Sequence, residues 1–382
     1  MEKRKIESVR QLPILPLSVE EMTWNKTGTW RLLTPKVQGK TPPCRAACPI
    51  GQPIANIVHA VSEGDWEGAL AMLLEVNPLP GVTGRLCYRP CQAKCLRKEV
   101  DRPIPIQELE RLVADSETTP KVHRKAPTGK KVAVCGAGPA GLTAAYHLAL
   151  QGCQVTLFDP GEQAGGFLKD AKSEKLPAEA LAREINRLVA VSGIQLKMNA
   201  VGLNSDEFDL TIVDRTAYQP GSEEARAVDA LATGGGRRMN IEVQEGAIGS
   251  KPVQVAHAVA LGRRIASEAL EQLNLKVDET KEGPGEVAGK EDIRLHCIAE
   301  GSAADILGPP DGAVAPDPAL EAKRCMSCGT CNLCQSCVLA CPDTSCMLDE
   351  KEGKIVIDLY HCKGCGLCAY ECPRGVMVME GE

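Results

Sequence analysis

One cysteine pattern is written twice near the end of this sequence. It reads Cys331-x2-Cys334-x2-Cys337-x3-Cys341-Pro342, then, beyond a stretch of strand character (Lys354–Asp358), Cys362-x2-Cys365-x2-Cys368-x3-Cys372-Pro373. Thiolates spaced this way can wrap three corners of one cubane, while the fourth Cys of each run points away and closes the other cluster. The spacing therefore assigns Cys331, Cys334, Cys337 and Cys372 to one [4Fe-4S] cluster, and Cys362, Cys365, Cys368 and Cys341 to a second. Cys pairs also suit tetrahedral zinc. Two complete copies, each ending in Cys-Pro, favour iron–sulfur and one-electron transfer.

A second group of thiols precedes these. Cys44-x3-Cys48-Pro49 comes first, and Cys87-x3-Cys91-x3-Cys95 follows after a helical region. These five can converge on one more cluster with one thiol to spare; zinc is again the alternative. Cys325-x2-Cys328, with Cys346 and Cys297 not far off in sequence, could hold a further cluster or a zinc, although no single run places the four together. Cys135 and Cys153 read as small core residues. His59, His123, His257, His296 and His361 have no motif partner.

The third constellation is rich in glycine. Lys131–Cys135 reads as a buried strand, Gly136-Ala-Gly138-Pro139-Ala140-Gly141 as a turn, and the Ala-rich text after it as a helix. A second strand, Gln154–Phe158, ends at Asp159. This is the dinucleotide fingerprint in its proper context. Gly136 would permit the tight turn, Gly138 the approach of pyrophosphate, and Gly141 close packing of helix on strand. The helix N-terminus favours the anion, and Asp159 is placed to accept from ribose hydroxyls. The fingerprint by itself fits FAD or NAD.

The elements that must position these groups follow from periodicity and punctuation. Ile54–Leu74 reads as two short helices broken at Gly64-Asp65, Asn77–Cys87 as a loop, and a further helix opens after Arg102 and carries Glu110. An amphipathic helix runs from Lys175 to Val191, with a strand over Ile194–Met198 and another over Phe208–Thr216. The 382 residues predict several domains, each long enough to bury a core. The expected boundaries are an arm over 1–40, a helical [4Fe-4S] domain over 41–120, a truncated Rossmann-like domain over 130–274, a surface linker over 275–320 and a two-cluster domain over 321–382. A net charge of -6 and only 3% aromatic residues exclude nucleic-acid and base-stacking platforms. Met1-Glu-Lys-Arg-Lys5 is followed by no apolar core of a secretory signal, and no run is long enough to span a membrane. Nineteen Cys in such a chain point to metal in a cytoplasmic setting.

The double run is that of bacterial ferredoxins. Residues 44–115, through Cys-x3-Cys-Pro, the loop Asn77-Pro-Leu-Pro-Gly-Val-Thr-Gly-Arg-Leu-Cys87 and the trailing Cys triplet, resemble the N-terminal iron–sulfur domain of the glutamate synthase small subunit. Dihydropyrimidine dehydrogenase and transhydrogenases that couple NAD(P)H to ferredoxin are similar. In larger members an upstream Cys pair supports two clusters. Here Lys36–Pro43 contains no Cys, so the resemblance implies one cluster. Two-cluster members use a Gln or Glu on the following helix as a ligand, and Glu110 sits near that position. Gly165-Gly166 resembles the FAD domain of the same family and selects FAD. Beyond it the resemblance thins: Phe208–Thr216 keeps a strand but loses its glycine turn, and no second fingerprint follows. Leu231-Ala-Thr-Gly-Gly-Gly236 resembles the return to the FAD domain, although the family's glycine–aspartate for the ribityl chain is missing, with Gly236 near its place, and Lys251–Leu273 resembles the closing helix.

The expected fold is multidomain α/β: a helical N-terminal iron–sulfur domain, a Rossmann-like FAD-binding domain and a C-terminal ferredoxin-like α+β domain. The cofactors implied are about three [4Fe-4S] clusters and FAD. No residue set for bond chemistry is present. The function implied is an electron-transfer subunit of a multisubunit oxidoreductase, working beside a catalytic subunit (for a 2-oxoacid such as an arylglyoxylate, or for an aldehyde) and passing electrons on to NAD+ or ferredoxin. A structural subunit with an empty flavin site is one alternative. A self-sufficient NAD(P)H:ferredoxin reductase is another, and it lacks a nicotinamide domain.

Overall fold

A computed structural model describes residues 26–116, 118, 122–171, 174–233, 236–242, 254–275, 285–298 and 317–381. The expected arm over 1–25, Gly234 and Gly235, residues 251–253 of the closing helix, and the linker over 276–284 and 299–316 lie outside them. The chain divides into two compact units, 39–332 and a smaller one made of the segments up to 38 and from 333.

In the larger unit short helices come first: α1 (Pro43–Ala47), α2 (Ile54–Ser62), α3 (Trp66–Leu74), α4 (Pro80–Leu86), α5 (Pro90–Ala93) and α6 (Ile106–Asp115). The break between α2 and α3 falls where Gly64-Asp65 predicts it. Asp65 caps α3, its carboxylate accepting from Gly68 N at 2.8 Å. The expected loop over Asn77–Cys87 is instead mostly helix. Pro80 fits the first turn of α4, and Thr83 Oγ1 donates back to Leu79 O at 3.2 Å. The glycines of α4 serve close approach and do not make a turn: a Cβ on Gly84 would sit 2.8 Å from Arg111 N, and one on Gly81 2.7 Å from the Glu184 carboxyl carbon.

A five-stranded parallel sheet follows, from β1 (Lys131–Cys135), β2 (Gln154–Phe158), β3 (Gln195–Lys197), β4 (Leu210–Asp214) and β5 (Arg238–Ile241), in the order β3-β2-β1-β4-β5. The central strands are buried over nearly their whole length because helices cover both faces, and Val134 pairs with Leu157 on one side and Ile212 on the other. Helices α7 (Pro139–Leu150), α8 (Ala178–Ser192), α9 (Glu223–Leu231) and α10 (Val255–Gln272) pack on it. On α8 the apolar stripe Leu181, Ile185 and Leu188 turns inward, and Gly193 ends the helix at φ 70°. Gly262 lets α10 press on α7, since a Cβ there would land on Ala140 O.

Buried polar groups join the helical part to the sheet part. Gly81 N donates to Glu184 Oε2 at 2.6 Å, and Arg187 pairs with Glu184 while donating to Ala114 O at 2.8 Å. Asp115 takes Arg85 at 2.6 Å and Arg183 at 2.5 Å. The expected surface linker is docked over its described part: Thr41 pairs with Val287, Lys40 bridges Glu286 and Asp292 at 2.8 Å each, and Lys290 meets Glu99 at 2.7 Å. Helix α11 (Pro318–Lys323) then places Ala322 in the apolar cluster of α2, α3 and α6.

In the smaller unit, strand Leu33–Val37 pairs antiparallel with Met377–Gly381, and Cys346–Asp349 with Lys354–Ile357. Two single-turn helices, Ser336–Leu339 and Leu367–Tyr370, complete it. Gly28 N donates to Tyr360 O at 2.9 Å and Arg31 to Leu359 O at 2.7 Å, so the described part of the arm is fastened here.

Candidate redox centres

In the smaller unit the packed centre is itself sulfur-rich: Cys337, Cys346, Cys368, Ile355 and Met377 are buried together, with Cys341 and Cys372 against them. Cys341 and Cys368 both act electrostatically on Cys362, whose thiol is pushed up first by burial. Cys341 of the first run thus lies within electrostatic reach of Cys362 of the second. Cys334 and Cys365 are exposed. Cys346, which no spacing rule assigns, hydrogen-bonds to Cys368; its own thiol is driven up by that bond, and the Cys368 thiol falls to about 7. Its signal in sequence was only its place five residues after Cys341. Cys331 lies in the larger unit.

The five thiols of the helical domain do not gather at one place. Cys48, Cys87 and Cys91 lie within electrostatic reach of one another and of Glu110. Burial pushes all three up, Cys87 to about 11. Glu110 is fully buried on α6. Its Oε1 accepts from Gln52 and Asn77 at 3.1 Å each and from Thr83, yet burial still lifts the carboxyl to about 7. A carboxyl beside three thiols fits the fourth-ligand position that the resemblance implies. Cys44 and Cys95 face elsewhere. They line a cavity with Cys325 and Cys328, walled by Pro42, Ile54, Val58 and Ile104. Burial raises Cys44 well above the usual thiol value, and the next contributions come from Cys325, Cys95 and Cys328.

The glycine-rich turn is formed as predicted, with Gly136 at φ 102° and Gly141 so close to the strand that a Cβ would strike Gly136 O. Its surroundings differ from the expectation. Asp214, at the end of β4, is fully buried, and its Oδ2 accepts from Gly141 N at 2.8 Å. The other oxygen accepts from Thr216 N at 2.9 Å and Thr216 Oγ1 at 2.6 Å. Burial, resisted by these bonds, lifts the Asp214 carboxyl to about 6. Ala217 lies over Gly138: a Cβ on Gly138 would be 2.5 Å from Ala217 Cα. Gly165 and Gly166 hold the same segment from the other side, with Phe167 N donating to Ala217 O at 2.8 Å. Asp159 is also fully buried and accepts from Ala137 N at 2.6 Å, Gly161 N at 2.8 Å and Tyr218 Oη at 2.6 Å. Asp214, Ala217 and Tyr218 therefore pack against the glycine turn and Asp159, and FAD would fit there only with that segment moved away. Gly236 does not help: with Lys130, Asp209 and Asn274 it lines a cavity at the amino ends of the strands, the edge opposite the glycine turn.

Comparison with known proteins fits this division. Residues 36–122 match the family model described as dihydropyrimidine dehydrogenase domain II, 4Fe-4S cluster; 134–186 match an NAD(P)-binding Rossmann-like domain; and 330–376 match a 4Fe-4S dicluster domain. The chain joins two iron–sulfur domains to a Rossmann-like one. The beta subunit of NADP(+)-dependent formate dehydrogenase from Moorella thermoacetica is 37% identical over 185 residues, 42% of this chain and 26% of that protein. The beta subunit of NADPH-Fe(3+) oxidoreductase from Geobacter sulfurreducens is 34% identical over 41% of this chain and 24% of its own length. The small chain of glutamate synthase [NADPH] from Bacillus subtilis is 35% identical over 44% of this chain and 36% of its own length. The chain thus spans well under half of these relatives. Among its described residues no helix is long and apolar enough to cross a membrane.

Proposed function

We propose that this chain is an electron-relay subunit of a larger oxidoreductase, carrying single electrons through iron–sulfur clusters to or from a catalytic partner. The supporting observation is the small core that Cys337 and Cys341 of the first run share with Cys368 and Cys372 of the second, with Cys341 in electrostatic reach of Cys362. Cys331, Cys334, Cys337 and Cys372 would hold one cluster; Cys362, Cys365, Cys368 and Cys341 another; Cys48, Cys87 and Cys91 with Glu110 a third. Bound, such cubanes take up and release one electron at a time. The apolar centre of Ile355 and Met377 shields Cys337 and Cys368 from water, and Cys346 donates a hydrogen bond to Cys368 Sγ, which favours the anion there. In this reading the Rossmann-like part is a frame that carries the helical domain through Glu184, Arg187 and Asp115. Chemistry on an organic substrate, such as a 2-oxoacid or an aldehyde, belongs to the partner. Anaerobic purification with iron analysis and a reductive EPR titration tests the relay. Redox-silent zinc in place of iron would overturn it.

A second reading, favoured by the intact glycine fingerprint, keeps FAD at Gly136, Gly138, Pro139, Ala140, Gly141, Asp159, Gly165 and Gly166 as the junction between one- and two-electron partners. It requires the Asp214–Tyr218 segment to leave the turn. Flavin content decides between the two: one FAD per chain, lost in Gly138→Val, selects the second, and absence of flavin from the intact complex selects the first. A self-sufficient NAD(P)H:ferredoxin reductase would need a second nucleotide-binding sheet beside the one of Rossmann type that the described residues contain.

A further inference from the structure

We infer that the helical domain holds a second [4Fe-4S] cluster, on Cys44, Cys95, Cys325 and Cys328, with two of its ligands supplied from 230 residues further along the chain. This rests on the iron–sulfur reading of the chain and adds a site to it.

The four thiols line one apolar cavity. Among the described residues no three Cys, His, Asp or Glu side chains stand close enough to hold a single ion. The loop that brings the distant pair has a backbone seen twice elsewhere in this chain. In Cys325-Met-Ser327-Cys328-Gly329, the residues on each side of the second Cys take positive φ, 48° at Ser327 and 66° at Gly329. Leu333 and Gln335 do the same around Cys334, at 58° and 62°, and Gly364 and Gly366 around Cys365, at 72° and 79°. A left-handed residue costs a non-glycine side chain roughly 1–2 kcal/mol. Ser327 adopts it while 4% exposed, in the same curl as the two loops whose spacing marks them for cubanes. The curl carries a Cys-x2-Cys pair around one centre.

The loop is also braced in place. Arg324, next to Cys325, donates to Asp101 Oδ1 and to Arg102 O at 2.7 Å each and pairs with the fully buried Glu321. Arg97 donates to Arg324 O at 3.1 Å and forks onto Asp101 at 2.8 and 2.6 Å. Arg102 closes the ring on Glu321 at 3.1 Å. On the far side Lys40 N donates to Gly329 O at 2.8 Å. Removing Arg97, Glu321 and Arg324 from water is costly unless each is matched, and this network, completed by the more exposed Asp101 and Arg102, matches them only when α11 sits against the helical domain. The loop carrying Cys325 and Cys328 is thereby held against the helical domain. The pair 325/328 fills the role left open by the absence of Cys from Lys36–Pro43. Coordination balances without a redox step: four thiols release four protons, and four thiolates around a [4Fe-4S]2+ core leave a net charge of -2. Two residues lie between Cys328 and Cys331, a reach of at most about 11 Å of chain, so this site would stand close to Cys331.

The test uses the full chain purified anaerobically. The inference expects about sixteen iron and sixteen sulfide per chain, four of each per cubane. It expects the double variant Cys325→Ser/Cys328→Ser to lose about a quarter of both while the ferredoxin EPR signals persist. Unchanged iron in that variant, or zinc lost in place of iron, would overturn it. Should the variant not accumulate, native protein decides. Under iodoacetamide, Cys44, Cys95, Cys325 and Cys328 should be protected together and become reactive together once iron is chelated, whereas exposed Cys297 alkylates from the start. Alkylation of Cys325 and Cys328 in holoprotein with Cys44 and Cys95 still protected refutes the site. If the ferredoxin runs keep their iron in that experiment, only this inference fails; if the whole chain lacks iron, the relay reading fails with it.

Discussion

Gly138→Ala separates the two readings of the Rossmann-like domain. In a dinucleotide site the added methyl meets a phosphate and flavin is lost without much harm to the fold. Here it meets the protein. The new Cβ would stand 2.5 Å from Ala217 Cα, 2.9 Å from Ala217 Cβ and 3.1 Å from Asp214 Oδ2. Ordinary contact is about 3.5–4 Å, so the segment must retreat by about 1 Å. That movement pulls on the 2.8 Å bond from Gly141 N to Asp214 and the 2.6 Å bond from Tyr218 to Asp159. Overpacking of this kind costs about 1–3 kcal/mol, which in a unit of this size lowers the melting temperature on the order of 5 °C. Ala217→Gly alone should cost about 1 kcal/mol through backbone freedom. The double variant should recover part of the loss, because one of the two close contacts is gone, giving a coupling of at least about 0.5 kcal/mol in a double-mutant cycle. Thermal unfolding followed by circular dichroism on the four proteins reads this directly. Strict additivity, together with flavin present in wild type and absent from Gly138→Ala, would refute the self-filled site.

Cys341→Ala should remove the EPR signal of the cluster on Cys362, Cys365 and Cys368 more than that of its own run; selective loss of the sequence-local cluster would show that the runs do not cross. Asp214 titrates at about 6 in the fold against an ordinary 3.8, so its contribution is full below pH 4 and declines as pH rises through 6, by about 3 kcal/mol in all. The melting-temperature difference between wild type and Asp214→Asn should change across that window and be flat above it. Glu184→Ala leaves Gly81 N and Arg187 buried without their acceptor, and should destabilise the larger unit by about 3 kcal/mol in denaturant titrations.

Local patterns were legible and distant closures were not. The fingerprint, the break at Gly64-Asp65 and the double Cys run are properties of neighbouring residues, and each folds where spacing puts it. The glycines of α4 misled because glycine marks both turns and close packing; at Gly81 and Gly84 the reason is a neighbour 103 or 27 residues away. The filling of the nucleotide turn was equally hidden. Asp214 meets Gly141 across 73 residues, and nothing in the text of β4 announces it. Cys325 and Cys328 looked like strays beside the ferredoxin run because their cavity partners, Cys44 and Cys95, lie at the other end of the larger unit.

The pairing of Leu33–Val37 with Met377–Gly381 sets a timetable for synthesis. The first of these strands leaves the ribosome long before its partner exists, and at ordinary elongation rates the wait is on the order of half a minute. Throughout that interval the strand exposes an unpaired edge, and for nearly all of it the thiols of the second ferredoxin run have not been made. The larger unit, whose described sequence lies wholly between the two strands, can fold and take up metal first. Closing so long a loop costs roughly 5 kcal/mol in chain entropy if the intervening chain is still a coil, and far less once it is compact. Maturation should therefore proceed from the inside of the sequence outward. A nascent chain stalled before Met377 would carry a finished helical and Rossmann-like body with an incomplete ferredoxin unit, and Leu33–Val37 would be the segment most in need of a chaperone.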